Sequence, residues 1–390
     1  MQKVIALVDC DCFFVSCERV DNPDLNKKPV CVVTSTSNKG IVISRSAEAK
    51  ALGIKMGAPL FQIKADYPDV FFIKARHKRY DEISNQVMQA LKNFSPLIEP
   101  VSIDEAYMDL TGLSKFYQLS YSKLIQKIRK EIFDTVKVPV SIGLSTSKTL
   151  AKLASDKAKK TNGIFIIHPN QIKQILSDID LEEISGIGKQ SASTYAFKGI
   201  TTILEFLEKD PTWVKKNLGS NAEKLRYELE GVCVCPVTNK QDAPQSIQIS
   251  HSFEEFTSDL NVLLDTLPDY IHQSSQKLRQ WNGFCKTICV SLKTKGFSEF
   301  KVQATLDTPT NSENTLLKKS IELMKEIYKP KILYRSTGIS LNNLIYGEIV
   351  QHSLFETTER EDDKISHIID DLEKKYGKNM LKFLIISDKN

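Results

Sequence analysis

The sequence predicts an α+β protein of several domains, whose first half contains a ferredoxin-like unit. One observation is the order of patterns between residues 3 and 145, which alternate as strand, helix, strand, strand, helix, strand. A second is the length of 390 residues, which is enough for about two to four domains. A third is the segment 246–346, where strands and helices alternate again.

The ferredoxin-like unit begins with the apolar strand KVIALVD at residues 3–9. Its first helix lies at 79–94, where apolar side chains recur at helical spacing. The strands IEPVSI and AYMDLT follow, with Asp104 and Glu105 at their junction. A helix at 120–134 then leads to the strand VPVSIGLS.

Two further segments complete the first half. Residues 20–75 form an insertion with two short strands and a helix at 47–52. A helix at 147–159 and a strand at 163–167 are added at the end of the unit.

The remaining chain divides into four parts. Residues 170–240 are mainly helical, and the polar stretch TNKQDAPQ at 238–245 is typical of an interdomain linker. An α+β domain at 246–346 precedes a polar tail from residue 347 on.

Composition restricts the classes of protein. The net charge of +5 permits an anionic partner, and 41% hydrophobic with 26% charged residues is ordinary for a soluble protein. No apolar run is long enough to span a membrane, and Asp9 and Asp11 interrupt the N-terminal apolar stretch, unlike a signal peptide. The eight cysteines include no CxxC pair, which disfavours a zinc site and favours a reducing, cytoplasmic location.

Three carboxylates should converge. Asp9 ends the first strand, and Asp104 and Glu105 lie where two strands meet, so the central strands of the unit bring them together. They would repel one another without a cation, and oxygen ligands suit Mg²⁺ or Mn²⁺. Two such ions serve phosphoryl transfer. The alternative is that each is a turn or cap residue, and Asp11 is either a helix cap or a metal contact.

Four stretches carry a resemblance to a known family. VDCDCFFVSCE, GIVISRSAEAKALGIKMG, SIDEAYMDLTG and STSKTLAKLASDKAKKTNG occur in this order. They resemble the motifs of the Y-family translesion DNA polymerases, most closely the UmuC-like branch, the catalytic subunit of the DNA polymerase V type. The resemblance implies a right-hand polymerase. Its parts would be a ferredoxin-like palm (1–19 and 76–168), small fingers (20–75), a helical thumb with a helix-hairpin-helix (169–240), an α+β little finger (246–346) and a C-terminal tail (347–390).

The resemblance also implies an active site. Asp9, Asp104 and Glu105 would bind two Mg²⁺ ions, for which Mn²⁺ can substitute, with the backbone carbonyl of Cys10 as a further ligand. Phe14 would be a steric gate against the ribose 2′-hydroxyl, although its alternative is a core aromatic. Phe13 is grouped with the same nucleotide site, but helical spacing favours a core position for it.

Triphosphate contacts are implied for Ser44, Lys50 and Lys159. Many relatives have a tyrosine where this chain has Ala47 and an arginine where it has Lys50, so the contacts differ from the common pattern. Lys160 lies beside Lys159, and a solvated charge run is the alternative for both.

Two regions are implied to bind DNA. The stretch ISGIGK, with Gly186, Gly188 and Lys189, resembles a helix-hairpin-helix that binds phosphate through backbone amides, or else is a simple turn. Lys293 and Lys295 of the little finger could follow a phosphate backbone, or else protect a sheet edge.

QHSLF in the tail resembles the bacterial sliding-clamp peptide. Gln351, Ser353, Leu354 and Phe355 would bind the clamp, although Leu354 and Phe355 could instead dock on the protein's own surface.

The resemblance therefore predicts template-directed, low-fidelity translesion DNA synthesis opposite damaged bases, without proofreading, in an SOS-type response. The substrates would be primer–template DNA and deoxynucleoside triphosphates. A processed UmuD-like protein and a recombinase filament are further implied partners. The alternatives are a catalytically inactive, clamp-linked accessory protein of the same fold and a metal-dependent nuclease.

Overall fold

The computed structural model describes residues 2–347, 368, 370–372 and 375. They form two compact units, one ending at Gln241 and the other beginning at Asp242.

The first part of the first unit is mixed α and β. Its elements in chain order are β1 (Ile5–Cys10), α1 (Phe13–Asp21), β2 (Val30–Val33), β3 (Val42–Arg45), α2 (Ala47–Ala51), α3 (Leu60–Ile63), β4 (Phe71–Lys74), α4 (His77–Lys92), β5 (Ile98–Pro100), β6 (Glu105–Asp109), α5 (Leu113–Phe116), α6 (Tyr121–Val136), β7 (Val140–Ser145), α7 (Lys148–Ala158) and β8 (Ile164–Ile166).

Five of these strands form a central sheet in the order β5-β6-β1-β7-β8. β1 is antiparallel to both β6 and β7, so β6 lies between the parallel strands β5 and β1. With α4 after β1 and α6 after β6, this is the predicted ferredoxin-like arrangement. β8 and α7 are the predicted additions at its end.

The two faces of β1 meet different partners, because side-chain direction alternates along a strand. Ala6 and Val8 belong to the core formed with α4 and α6. Ile5 and Leu7 belong to a smaller core with Ala151 of α7. By the same alternation, the next odd-numbered residue of β1, Asp9, points to the α7 side.

α7 lies very close to the central sheet. A Cβ added at Gly143 of β7 would overlap the backbone of Ala151 and Ser155. Glycine at this position therefore permits the approach, and the side chains of α7 reach the end of β1.

The insertion forms a second, smaller sheet with the order β3-β2-β4 and a core of its own. β4 was not among the sequence predictions, because its residues are only partly buried and give no clear alternation. α2 begins after Ser46, whose side chain accepts a hydrogen bond from the amide of Ala49. It ends before Gly53, which has a φ of +83°.

The predicted helical region follows β8. Its helices are α8 (Ile172–Ser177), α9 (Lys189–Phe197), α10 (Ile203–Glu208), α11 (Pro211–Leu218) and α12 (Ser220–Leu229). Their shared core includes Leu150 and Ala154 of α7, so the helical region packs on the same helix that faces β1.

A buried carboxylate fixes this region to α7. Glu228 of α12 is 2% exposed and accepts hydrogen bonds from the amides of Thr149, Val234 and Cys235 at 3.0–3.1 Å. Its carbonyl accepts a further bond from the hydroxyl of Ser147 at 2.6 Å. The N-terminus of α7 is thus tied to the end of the helical region.

The second unit is the predicted α+β domain. Its elements are β9 (Ile247–Thr257), α13 (Leu260–Leu264), α14 (Leu267–Gln280), β10 (Gly283–Thr294), β11 (Glu299–Thr310), α15 (Glu313–Ile327) and β12 (Tyr334–Tyr346). The sheet has the order β11-β10-β12-β9, and every pair is antiparallel. The segment between β9 and β10 forms two helices rather than one, with Pro268 in the first turn of α14.

Candidate active site

Asp9 and Glu105 lie opposite each other at one end of the central sheet. They are register partners in the β1–β6 ladder. The next amide along, of Cys10, donates to the carbonyl of Asp104 at 2.8 Å. Strand pairing therefore places Asp9, Asp104 and Glu105 at the same end of the sheet, although about 95 residues separate them in sequence.

The environments of these carboxylates differ. Asp9 is 5% exposed, whereas Asp104 and Glu105 are half-buried. The carboxylate of Asp104 accepts a hydrogen bond from the hydroxyl of Ser102 at 2.5 Å.

Two lysines of the α7 segment bind this pair of strands. The ammonium of Lys152 is 2.5 Å from Oε2 of Glu105 and 3.2 Å from Oδ2 of Asp9. The ammonium of Lys159 is 2.7 Å from the same Asp9 oxygen. Lys152 was missed in the sequence. It could have been identified from its seven-residue spacing to Lys159, because that spacing places both side chains on one face of a helix.

Burial alone would lower the pKa of Lys152, but its hydrogen bond to Glu105 and the charges of Asp9 and Glu105 outweigh burial and raise that pKa. The pKa of Lys159 is likewise raised, because its hydrogen bond to Asp9 and the charge of Asp9 outweigh burial. Both lysines are therefore cationic at neutral pH and neutralise the carboxylates.

Asp11 does not cap the helix that follows it, so that alternative was wrong. α1 begins at Phe13 after Cys12, which has no side-chain capping bond. The carboxylate of Asp11 instead accepts a hydrogen bond from the hydroxyl of Ser141 on β7 at 2.8 Å. Burial, with a contribution from the charge of Asp9, raises the pKa of Asp11.

The chemistry of this end of the sheet suits a hard divalent cation. The available donors are carboxylate oxygens and backbone carbonyls, which Mg²⁺ and Mn²⁺ prefer. Within the described part of the chain, no three His, Cys, Asp or Glu side chains are gathered as ligands around one point. The ammonium groups of Lys152 and Lys159 lie against Asp9 and Glu105 and show that this pair attracts positive charge.

Phe14 and Phe13 have different surroundings at the start of α1. Phe13 is 4% exposed and belongs to the core with α4 and α6. Phe14 is half-buried and stacks on Tyr80 of α4, with ring centroids 4.5 Å apart and an interplanar angle of 17°. His77 meets the Phe14 ring edge-on at 5.9 Å.

Tyr80 holds the Phe14 ring from behind and was missed as part of the site. It is fully buried, and its hydroxyl donates to Oε1 of Glu18 at 2.6 Å. Arg76 donates two hydrogen bonds to the same carboxylate. Helical spacing could have identified Tyr80 as buried, but it could not identify its partner.

The predicted triphosphate contacts of the insertion lie on β3 and α2. Ser44 is 8% exposed on β3, whereas Ala47 and Lys50 are exposed on α2. Of the adjacent pair Lys159 and Lys160, Lys159 is the one bonded to Asp9.

Comparison with known proteins assigns the family. Residues 8–156 match the model of the impB/mucB/samB family, and residues 244–354 match that family's C-terminal domain. The chain belongs to this family, whose members are Y-family DNA polymerases. A protein of Clostridium kluyveri named DNA polymerase IV is 31% identical over 397 residues, covering 98% of both chains. Protein UmuC of Salmonella typhimurium is 30% identical over 395 residues, covering 97% of this chain and 93% of its own.

Solved structures agree with this assignment. A Y-family DNA polymerase chimera of Dbh and Dpo4 superposes with a TM-score of 0.75 at 27% identity, covering 88% of this chain and all of the other. An insertion ternary complex of Dbh DNA polymerase superposes with a TM-score of 0.57 at the same identity and coverage. The predicted polymerase fold is thus confirmed. Similarity to both UmuC and DNA polymerase IV is consistent with the UmuC-like branch.

The remaining predicted site residues lie elsewhere. Gly186 has a φ of +99°, and Gly188 is the N-cap residue of α9, whose first residue is Lys189. Gly186 lines a cavity of about 690 Å³, which Tyr107 and Lys148 line from the central sheet and α7.

In the second unit, Lys293 is the last residue but one of β10, and Lys295 lies in the following turn. The clamp residues Gln351, Ser353, Leu354 and Phe355 lie outside the described residues. No helix in the described ranges is both long and apolar enough to cross a bilayer.

Proposed function

We propose that this Y-family DNA polymerase performs template-directed, low-fidelity synthesis opposite damaged bases, without proofreading. The observation that supports the proposal most is the placement of Asp9 and Glu105 as register partners, with Asp104 beside them. Paired carboxylates at the end of a buried sheet suit nucleotidyl transfer that depends on divalent cations.

The described regions would form the parts of a right-hand polymerase. The central sheet would be the palm (1–19 and 76–168) and the insertion the fingers (20–75). The helical region would be the thumb (169–240) and the second unit the little finger (246–346).

We assign Mg²⁺ as the cofactor, with Mn²⁺ able to replace it. The carboxylates of Asp9, Asp104 and Glu105 and the carbonyl of Cys10 would hold two ions. When bound, the ions supply activation of the primer hydroxyl and charge neutralisation of the leaving group.

The protein's own residues orient the reaction. The primer 3′-oxygen forms a bond with the α-phosphorus of the deoxynucleoside triphosphate, and the bond to pyrophosphate breaks. Lys159, Lys50 and Ser44 would bind the triphosphate. Because lysine offers a point charge rather than a fork, Lys50 would attract the phosphates without fixing their orientation.

Phe14 would exclude ribonucleotides. Its ring is backed by Tyr80, so it cannot retreat to make room for a 2′-hydroxyl. A ring held in place by stacking discriminates better than one free to rotate.

Other regions would bind DNA and partners. Gly186, Gly188 and Lys189 would bind a strand phosphate without reading sequence, and Lys293 and Lys295 would add contacts that weaken with salt. QHSLF at 351–355 would bind the bacterial sliding clamp. We further propose the UmuC-like branch, a cytoplasmic location, and a processed UmuD-like protein and a recombinase filament as partners.

Primer extension by wild type and the Asp104→Ala variant tests the activity. The variant should lose at least about a hundredfold in rate, since removal of one precisely placed charge costs several kcal/mol in the transition state. Asp24→Ala, at an exposed carboxylate of the insertion, is the matched control and should extend normally. Equal extension by Asp104→Ala and wild type would contradict the assignment. No extension by any of the three would favour the inactive accessory protein, and loss of DNA without nucleotides would favour the nuclease.

A further inference from the structure

The helices α1 and α4 contact each other through one tyrosine that reaches two residues. Phe14 and Glu18 are four residues apart on α1, so their side chains lie on one face of that helix. Tyr80 of α4 contacts both. Its ring stacks on Phe14 with centroids 4.5 Å apart, and its hydroxyl donates to Oε1 of Glu18 at 2.6 Å. Tyr80 therefore spans one turn of α1.

The carboxylate that receives this hydroxyl is itself held in place. Glu18 is 5% exposed, and a buried carboxylate is costly unless it is paired and hydrogen-bonded. Arg76, the residue before α4, donates from Nε and Nη2 to its two oxygens at 3.0 and 2.6 Å. A guanidinium bound to both oxygens fixes the plane of the carboxylate, which a single point charge does not. The oxygen that Tyr80 meets is thus fixed in direction.

The same arginine closes the base of the insertion. Arg76 donates to Asp21, the last residue of α1, at 2.8 Å. Arg79 of α4 also donates to Asp21 at 2.8 Å, and its other partner is Glu82. Because the insertion runs between α1 and α4, these bonds join the point where the chain leaves to the point where it returns.

Stability alone does not explain this arrangement. The side chain of Arg76 is 44% exposed, so water weakens its attraction to Glu18. Apolar side chains in place of a buried ion pair often stabilise a fold equally well. The ion pair adds direction instead, because it sets where the Tyr80 hydroxyl points and hence how the Tyr80 ring is tilted.

A third ring supports Phe14 from another side. His77 meets Phe14 edge-on at 5.9 Å and Tyr80 at 6.0 Å. Phe14 is half-buried, so part of its ring is covered by these neighbours and part is open. The open part is the surface that would meet the sugar of a nucleotide.

We propose that Glu18 and Arg76 are positioning residues for sugar selection. They hold the Tyr80 ring against Phe14, so that Phe14 cannot recede from a ribose 2′-hydroxyl. Without this anchor Tyr80 would tilt and Phe14 would follow it, and a movement of about 1 Å is enough to change the outcome of a closely fitted site. The inference rests on the proposed function, in which Phe14 excludes ribonucleotides.

Single-nucleotide incorporation from deoxy- and ribonucleoside triphosphates tests the proposal through Tyr80→Phe. This variant keeps the ring that stacks on Phe14 and removes only the hydroxyl that reaches Glu18. The kcat/KM for the ribonucleotide should rise about three- to tenfold, while that for the deoxynucleotide stays within about twofold of wild type. Tyr117→Phe is the matched control, because the Tyr117 hydroxyl donates to two backbone carbonyls after α4 at 3.1 Å. It should leave the ratio of the two sugars unchanged.

Two arginine variants test whether Arg76 acts through Tyr80. Arg76→Lys keeps the charge but cannot bond both oxygens of Glu18, so the ratio of ribo- to deoxynucleotide kcat/KM should rise about threefold. Arg79→Lys keeps a cation beside Asp21 and should leave the ratio unchanged. The double variant Tyr80→Phe with Arg76→Lys should match Tyr80→Phe within about twofold, because the link through which Arg76 acts is already absent.

Three outcomes would overturn the positioning role. An equal fall in kcat/KM for both sugars in Tyr80→Phe would indicate a merely structural contact. An unchanged ratio in that variant would show that the hydroxyl does not hold the gate. Effects of Tyr80→Phe and Arg76→Lys that multiply in the double variant would show that Arg76 acts by another route.

The proposed function can fail separately. Dissociation constants of the two triphosphates, measured on a primer–template with a dideoxy-terminated primer, report the sugar preference without chemistry. If wild type extends no primer but Tyr80→Phe narrows the difference between these constants, the positioning role stands and the proposed activity does not. If Phe14→Ala changes the ratio and Tyr80→Phe does not, the gate stands and the positioning role is overturned.

Discussion

Replacement of Lys152 with methionine should destabilise the protein without divalent cations and strengthen its binding of them. The ammonium of Lys152 bonds both Glu105 and Asp9, and its side chain is 22% exposed. A cation that binds these carboxylates must displace it. The variant therefore lacks the stabilisation that these contacts give the metal-free protein. It should bind the cation more tightly by the same free energy, because no lysine has to be displaced.

The geometry sets the size of the effect. A hydrogen bond between charged groups contributes about 1.5–3 kcal/mol net, and partial exposure of Lys152 favours the lower end. Without metal, the free energy of unfolding of Lys152→Met should therefore be about 1.5–3 kcal/mol lower than that of wild type. Its affinity for Mn²⁺ should rise about ten- to hundredfold, since 1.4 kcal/mol is a factor of ten.

The sign of the pH dependence is fixed by the pKa of Lys152. That pKa is raised in the folded protein above its ordinary value of 10.5, so its stabilisation is complete below pH 10.5 and is lost only as the pH rises through the folded value. The difference between wild type and variant should be constant from about pH 6 to pH 9.

Urea unfolding in EDTA and Mn²⁺ titration by electron paramagnetic resonance, both without DNA or nucleotide, measure the two effects. Lys148→Met is the matched control. Lys148 lies on α7, as Lys152 does, but its ammonium bonds Glu99 of β5 at 2.6 Å. It should lose stability without gaining Mn²⁺ affinity. Unchanged or weaker Mn²⁺ binding by Lys152→Met would refute displacement of the lysine.

Two further predictions concern nucleotide selection and the tail. Phe14→Ala should raise incorporation of ribonucleotides relative to deoxynucleotides about tenfold or more, because the 2′-hydroxyl then has space. An unchanged ratio in single-nucleotide incorporation would place the gate elsewhere. Deletion of residues 351–355 should abolish stimulation by the sliding clamp in a primer-extension time course, while basal extension continues. Stimulation that persists would move the clamp contact to another surface.

The central sheet was predictable because its strands are buried apolar runs with charged ends. KVIALVD gave β1 and the position of Asp9, and the order of strands and helices gave the neighbours. Since β6 follows directly after Asp104, the convergence of the carboxylates depended only on strand order.

Other features depended on packing that sequence patterns do not encode. The contact of Lys152 with Glu105 requires α7 to lie against β7, which depends on Gly143. The stacking of Tyr80 on Phe14 depends on how α4 crosses α1. β4 escaped prediction because half of its residues are exposed and the whole strand is only four residues long.

The pairing of Asp9 with Glu105 also restricts how this protein can diverge. Deletion of one residue within β1 would turn Asp9 towards the apolar core of α4 and α6, where an unpaired carboxylate is costly. Length changes are instead tolerated in connections, as the insertion between α1 and α4 illustrates. Related chains should therefore differ by insertions and deletions in the loops around the central sheet, while the number of residues within β1 and β6 stays the same.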